Sequence, residues 1–439
     1  MKECNKIGIC ALSLQRENRF GMSNFITDIH IEDLRHLHGI EIPLSKNERR
    51  HLLITGKNGS GKTTLLDGIA NYLDTIVNVN SGETLSQLEK GIKADESNLK
   101  FAMEHGDSEG AAAAKERIAY YKKRKEELYS KVRLDFVDEA GFKEGVKSGD
   151  VIIAYYRDDR NPQFIEPKSP ELPDYKIETK LIRKARDNQF LKLLVHYKVQ
   201  GAMEGLEGNG DKAGSISEWF DKFTKILKKL FCDEKLELSF NPRDYTFTMR
   251  DADGKSFKFT QLPAGYRAAL DIISDLILKM QSKGQVNMAL DQEGVVLIDE
   301  VETHLHLAMQ KEIMPILTTV FPKIQFIVST HSPFVLSSIE NADAVDLEKP
   351  KNMISDLTSY SYEALAEGYF GITSESSDIQ DRLNELEGYV KADHLKERDA
   401  KRRDRLIADF ERVPEALAPT VVGRFKEIMV LYHSKNYTA

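Results

Sequence analysis

Gly56-Lys57-Asn58-Gly59-Ser60-Gly61-Lys62-Thr63-Thr64 has the residue types and spacing of a loop that cradles phosphate. Glycines at 56, 59 and 61 let backbone N–H groups curl around phosphate oxygens at the positive end of a helix, with Asn58, Ser60 and Thr64 completing the contact. Lys62 would neutralise the β- and γ-phosphates of a nucleoside triphosphate, and the Thr63 hydroxyl would ligate Mg²⁺. A second centre is Val295-Val296-Leu297-Ile298-Asp299-Glu300, an apolar run ending in two carboxylates. There Asp299 would sit beside the Mg²⁺ and Glu300 would face the water that attacks the γ-phosphate. The third is Ser329-Thr330-His331-Ser332-Pro333, where a histidine at a strand end could reach the γ-phosphate and sense its hydrolysis.

Each centre needs an element to deliver it. His51 to Thr55 has the apolar middle of a buried strand, and Thr64 to Ala70 opens a helix, so strand, loop and helix follow in the order phosphate binding requires. Val295 to Ile298 and Ile324 to Ser329 read as central parallel strands, apolar on both faces. The expected fold is α/β, a mixed sheet around a phosphate loop. Phe25 to Ile31 and Ile40 to Leu44 alternate as two strands about a turn at His38-Gly39, feeding the phosphate-loop strand. Apolar positions on a charged background over 84–132, broken at 104–110, predict a short antiparallel coiled-coil hairpin inserted in the core. The Trp219, Phe220, Phe223, Ile226, Leu227, Leu230, Phe231 stripe predicts a helix with a core face. Tyr245 to Met249 and Ser256 to Phe259 predict a hairpin. The expected organisation is an extension at 1–21, core at 22–83, hairpin at 84–132, core at 133–179, helical lobe at 180–232, core at 233–345 and helical tail at 346–439.

The chain has 439 residues, a net charge of −8, and only three cysteines, Cys4, Cys10 and Cys232. That usage suits a reducing cytoplasm and speaks against a disulfide framework. No apolar run approaches the roughly 20 residues that span a membrane. The acidic balance gives no chain-wide attraction to nucleic acid, so any DNA contact would be a local patch. Lys122-Lys123-Arg124-Lys125 is read first as a solvated helix face and second as such a patch; Lys396 to Arg405 is read as a charged helix or partner surface. His304 and His306 alternate without a third metal ligand.

With these motifs the segment from 22 to 340 resembles the ABC-type ATPases of the SMC and RecF group, and most their smaller relatives in antiphage defence and the OLD-type proteins. The carriers are residues 56–64, Leu-Ile-Asp-Glu-Val-Glu-Thr-His-Leu-His at 297–306, Ser-Thr-His-Ser-Pro at 329–333 and Leu-Pro-Ala-Gly-Tyr-Arg at 262–267. The resemblance implies that Ala264, Gly265, Tyr266 and Arg267 form the signature segment, completing the ATP site of a second subunit in trans. Two chains would then clamp two ATP molecules head to tail within a homo-oligomer. It also implies that Glu300 is the general base, that His331 is the switch histidine and that residues after Glu300 form the D-loop. Gln163 is the candidate Gln-loop residue near Mg²⁺. Pro263 stands where that family usually has serine, which implies slow turnover. The roughly 100 residues after the switch histidine leave room for at most one small domain, and they read as helices without the strand-carboxylate pattern of the OLD nuclease. The chain therefore resembles stand-alone ATPases of the AriA type of PARIS systems, and next those of the PtuA type of Septu. Such ATPases imply a separately encoded nuclease or toxin effector and a phage-encoded trigger. A DNA-repair or chromosome-clamp ATPase, with direct DNA contact, is the alternative; a transporter subunit fits less well.

Overall fold

The computed structural model describes residues 24–78, 85–129, 131–158, 163–173, 189–281, 290–350, 353–370, 377–392, 394–414 and 419–437. The extension at 1–21, with Cys4 and Cys10, lies outside them. The chain forms two compact units, 1–362 and 363–439.

In the first unit, alternation builds β1 (Ile26–Leu34) and β2 (Leu37–Pro43), an antiparallel pair. The turn falls at Arg35-His36 rather than His38-Gly39, with Arg35 at φ 57°, because Leu34 and Leu37 both enter the core. These strands do not extend the phosphate-loop strand β3 (His51–Thr55); β1 pairs instead with β4 (Val132–Phe136) in a three-stranded sheet of order β2-β1-β4. β5 (Val151–Tyr156) returns to the sheet that contains β3. A third sheet joins β6 (Glu237–Asn241), β7 (Thr246–Arg250) and β8 (Ser256–Lys258), the last two forming the expected hairpin.

The apolar runs become β9 (Glu293–Ile298) and β10 (Ile324–Ser329), and β11 (Ala342–Asp346) follows. With β12 (Ile354–Ser355) they make a six-stranded sheet of order β12-β11-β3-β10-β9-β5, parallel except at the β12 edge. Residues 354–355 thus add a strand to the sheet, and the helical second unit starts only at Glu363. Burial on both faces explains the unbroken Val-Val-Leu-Ile and Phe-Ile-Val sequences. Gln325, fully buried in β10, ties two sheets together. Its Oε1 accepts from Ile26 N at 2.8 Å, and its Nε2 donates to Ile26 O at 3.0 Å and Arg50 O at 2.9 Å. A buried amide is tolerated where all its groups are bonded in this way.

The hairpin helices are Leu85–Glu104 and Ser108–Tyr129, turning through Gly106 at φ 69°. At about 1.5 Å per residue each is roughly 30 Å long. Asp95, buried in the seam, takes the Arg117 guanidinium in a forked contact at 2.8–3.1 Å. Phe190–Leu206 and Gly210–Phe231 form a helical pair, with Trp219, Phe220, Phe223 and Leu227 buried as the stripe requires. The second unit packs helices Ser377–Lys391, Glu397–Phe410 and Pro419–Tyr437 around Leu383, Leu386, Leu406, Phe410 and Phe425. No helix among the described residues is long and apolar enough to cross a membrane.

Candidate active site

Parallel register sets five strand ends side by side. Ser329 pairs with Ile54, Val328 with Ile298, Tyr156 with Ile298, and Asp346 with Thr55. The residues that follow these ends therefore share one edge of the sheet, where open parallel sheets build their sites.

The phosphate loop leaves β3 there and enters the helix Lys62–Asn78. Gly56, Gly59 and Gly61 take φ of 136°, 85° and 99°, values that turn consecutive amides inward and that only glycine adopts freely. At Gly61 a Cβ would also crowd the His36 ring, at 3.0 Å. Lys62 is buried, and its Nζ donates to the carbonyls of Gly56 at 2.9 Å and Lys57 at 3.2 Å. Burial lowers its pKa, while Glu300, Asp299, Glu302 and Asp346 pull it back up; these four carboxylates are the field in which Lys62 sits. Thr63 and Asn58 are exposed, and Arg35 Nη1 lies 3.5 Å from the Thr64 hydroxyl.

Asp299 is buried at the end of β9, its N–H bonded to Tyr156 O at 2.7 Å. The Ser329 hydroxyl donates to Asp299 Oδ1 and accepts from Glu300 N at 2.8 Å, so one side chain of β10 holds both carboxylate residues. Glu300 adopts φ 45°, a left-handed conformation that costs a non-glycine residue about 1–2 kcal/mol. Its Oε2 accepts from the Thr303 hydroxyl at 3.1 Å. The His331 amide donates to Glu302 Oε1. Burial raises the Glu302 pKa, and burial followed by the Lys62 charge lowers that of His331, which is therefore neutral at pH 7. Gln310 completes the arrangement: it bonds Leu305 O at 2.8 Å and accepts from the Ser332 hydroxyl at 2.7 Å.

Residues 264–267 begin the helix Ala264–Lys279 and pack on the segment after Glu300 in the same chain. A Cβ on Gly265 would lie 2.4 Å from His304 O, so glycine is required by this backbone approach. Tyr266 stacks on Phe231 with centroids 4.3 Å apart, and its hydroxyl lies 3.2 Å from His306 Nε2. Arg267 donates to Leu262 O at 2.7 Å. Gln163 is exposed; residues 159–162 before it lie outside the described ones, and no described contact joins it to Lys62 or Asp299.

Three residues beside Lys62 and Asp299 escaped the sequence reading. Tyr155 lies near Asp67 and Asp299, and burial, reinforced by both charges, pushes its pKa far up. Arg157 bonds Asp67 on the phosphate-loop helix at 2.6 Å. Asp346, buried at the end of β11, approaches Gly56 and Lys62. Tyr155 and Arg157 stand together in the sequence segment Tyr-Tyr-Arg-Asp-Asp-Arg at 155–160, whereas Asp346 carries no sequence signal.

The donor set fits a Mg–nucleotide. Thr63 and Asp299 supply hard oxygens, and Mg²⁺ takes one or two protein ligands plus phosphate oxygens. No group of three His, Cys, Asp or Glu suited to a metal occurs among the described residues. The Ser60 hydroxyl, buried inside the loop without a hydrogen-bond partner among them, is placed for a phosphate oxygen.

Residues 137–337 match the family described as AAA domain, putative AbiEii toxin, Type IV TA system. The chain is similar to the Septu protein PtuA of Bacillus mycoides, 25% identical over 75% of this chain and 41% of PtuA. It is also similar to the Retron Ec83 probable ATPase of Escherichia coli, 36% identical over 27% of this chain and 23% of that protein. The chain thus spans less than half of either relative. Among solved structures, the SMC head domain from Thermotoga maritima aligns over 73% of this chain and 94% of its own, at 11% identity and a TM-score of 0.34. Residues 137–337 thus resemble an AAA domain, and parts of the chain are similar in sequence to Septu PtuA and to the retron probable ATPase.

Proposed function

We propose that this chain binds ATP with Mg²⁺, hydrolyses it slowly, and acts as the sensor and scaffold subunit of an antiphage defence system in the bacterial cytoplasm. The carrying observation is the meeting of Lys62, Asp299, Glu300 and His331 at one sheet edge. Thr63 and Asp299 would hold Mg²⁺, which screens phosphate charge. Glu300 takes a proton from water as its oxygen bonds the γ-phosphorus, and the bond to the β-phosphate oxygen breaks to release ADP. Neutral His331 donates to the γ-phosphate and registers its departure.

The half-buried first turn at Ala264–Arg267 would meet the nucleotide of a second copy, giving a head-to-tail pair within a homo-oligomer. The similarity to PtuA supports a PtuA-like subunit over the AriA-like one; either works with a separately encoded nuclease or toxin, released on sensing a phage protein. The clamp alternative loses ground on charge, because hairpin bases face hairpin acids: Lys125 on Glu89 at 2.8 Å, Lys122 on Glu96 at 3.6 Å, Arg117 on Asp95.

Light scattering of Glu300→Gln protein with ATP tests this reading. Assembly to at least twice the 49.9 kDa chain, absent in Lys62→Ala, is the expected result. A Glu300→Gln chain that stays monomeric at saturating ATP would sink it, and ATP-dependent binding of bare DNA would favour the clamp.

A further inference from the structure

Away from the nucleotide edge, the chain holds a cavity of about 420 Å³ that nothing above uses. Its wall is apolar: Trp219, Phe223 and Ile226 from Gly210–Phe231, Ile277 from Ala264–Lys279, and Ile316 and Val320 from the helix Leu307–Val320. Its rim is basic. Lys222, Lys225 and Lys229 line one side, are exposed, and form no ion pair among the described residues. Asp291, also on the rim, is already matched by Lys323 at 2.9 Å.

Trp219 is 3% exposed, and its Nε1 has no hydrogen-bond partner among the described residues. The indole is thus packed into the cavity wall, with its N–H closed off from solvent among the described residues. The three lysines recur at i, i+3 and i+7, along about 10 Å of helix. One small anion cannot reach all three across that distance. A polypeptide with spaced carboxylates around an apolar side chain can.

We propose that this cavity docks an acidic, apolar segment of a partner protein, its apolar anchor on Trp219 and its carboxylates on Lys222, Lys225 and Lys229. This rests on the reading that the ATPase works through a protein partner. Two of the walls give the docking a consequence. Ile277 is on the helix that starts at Ala264, and Ile316 and Val320 are on the helix that starts just after His306. An occupant therefore leans on two helices, one beginning at the Gly265 that meets His304 O and the other beginning three residues after His304.

The test is selection of displayed random dodecapeptides on the full chain, followed by titration of synthetic winners. Trp219 is the only tryptophan of the chain, so its fluorescence reports this cavity alone. Support requires winners rich in Asp and Glu around Leu or Phe, a saturable Trp219 shift, and affinity weakened by roughly tenfold or more in Lys222→Glu/Lys225→Glu/Lys229→Glu protein. Neutral or basic winners, an unmoved Trp219, or equal binding by the variant would overturn it. So would a Trp219 response to anilinonaphthalene sulfonate with no peptide selected, which would make the cavity a small-anion site. Peptide binding needs no nucleotide, so failure of ATP-driven assembly with binding intact would fall on the ATPase reading instead.

Discussion

Ser329→Ala is the sharpest test of how the site is held. The Ser329 hydroxyl donates to the Asp299 carboxylate and accepts the Glu300 amide, and Ser329 is fully buried. A hydrogen bond to a charged group contributes about 1.5–3 kcal/mol, and an N–H left without its acceptor costs about 1–3 kcal/mol. Alanine fills nearly the same volume, so the cavity cost is small. A combined loss near 3 kcal/mol, falling on the left-handed backbone of Glu300, corresponds to about a hundredfold in turnover at about 1.4 kcal/mol per decade. ATP affinity should change little, because Lys62 and the loop amides do not depend on this hydroxyl. Steady-state phosphate release gives kcat and KM, and a fluorescent ATP analogue gives the binding constant. Turnover within about twofold of the parent, in a variant whose thermal midpoint has dropped, would refute the positioning role and leave Ser329 as core packing.

Three further outcomes follow from single contacts. Gly265→Ala drives a methyl into His304 O and should cost about 1–3 kcal/mol by overpacking, with ATP binding kept and ATP-driven assembly weakened in light scattering. His51 accepts the Phe326 amide at 3.0 Å, and burial, then Arg49 and Arg50, lowers its pKa from 6.5 to about 4. The unfolded chain thus binds the proton first; stability is complete above pH 6.5 and falls by about 3 kcal/mol as pH drops to 4, a limb that urea titrations of His51→Asn should find flattened. Burial and the Lys62 charge lower the pKa of His331, so the acid decline in turnover should fall at lower pH than an ordinary histidine would give. His331→Ala should be slow at every pH and lack that limb; an unchanged limb would assign it elsewhere.

The parts of the site legible in the sequence are those whose chemistry is local. Gly56 to Thr64 carries its own turn, charge and hydroxyl, and β9 and β10 announce themselves as apolar runs because a parallel strand is covered on both faces. What stayed hidden depends on register. Asp346 is an ordinary residue in sequence, and it becomes a neighbour of Lys62 only because β11 flanks β3 with its end aligned; the Ser329 contact with Asp299 likewise follows from the pairing of β10 with β9. Tyr155 and Arg157 reach Asp67 for the same reason, β5 lying beside β9. The β1–β2 turn differs from the sequence expectation because His38-Gly39 has the local character of a turn, whereas the burial of Leu34 and Leu37 is decided by the sheet they join. Gln163 is a candidate by its order along the chain alone, and no described contact joins it to the carboxylates.

The departure at Pro263 gains a physical consequence from the way the next residues are held. Pro263 caps the helix Ala264–Lys279 without a side-chain hydrogen bond, and its carbonyl receives the Arg267 amide at 3.0 Å. The residues that could replace the missing hydroxyl are both engaged: Tyr266 between Phe231 and His306, Arg267 on Leu262 O. On the proposed reading, a phosphate from a second copy therefore meets backbone amides and a helix dipole. That interaction contributes about 0.3–1 kcal/mol, against about 1.5–3 for a hydroxyl donating to a charged oxygen. A nucleotide bridge of this strength closes a pair without fixing the γ-phosphate tightly, which favours occupancy over turnover. Long-lived occupancy is what a scaffold that waits for a trigger requires, and a fast cycle would discharge it.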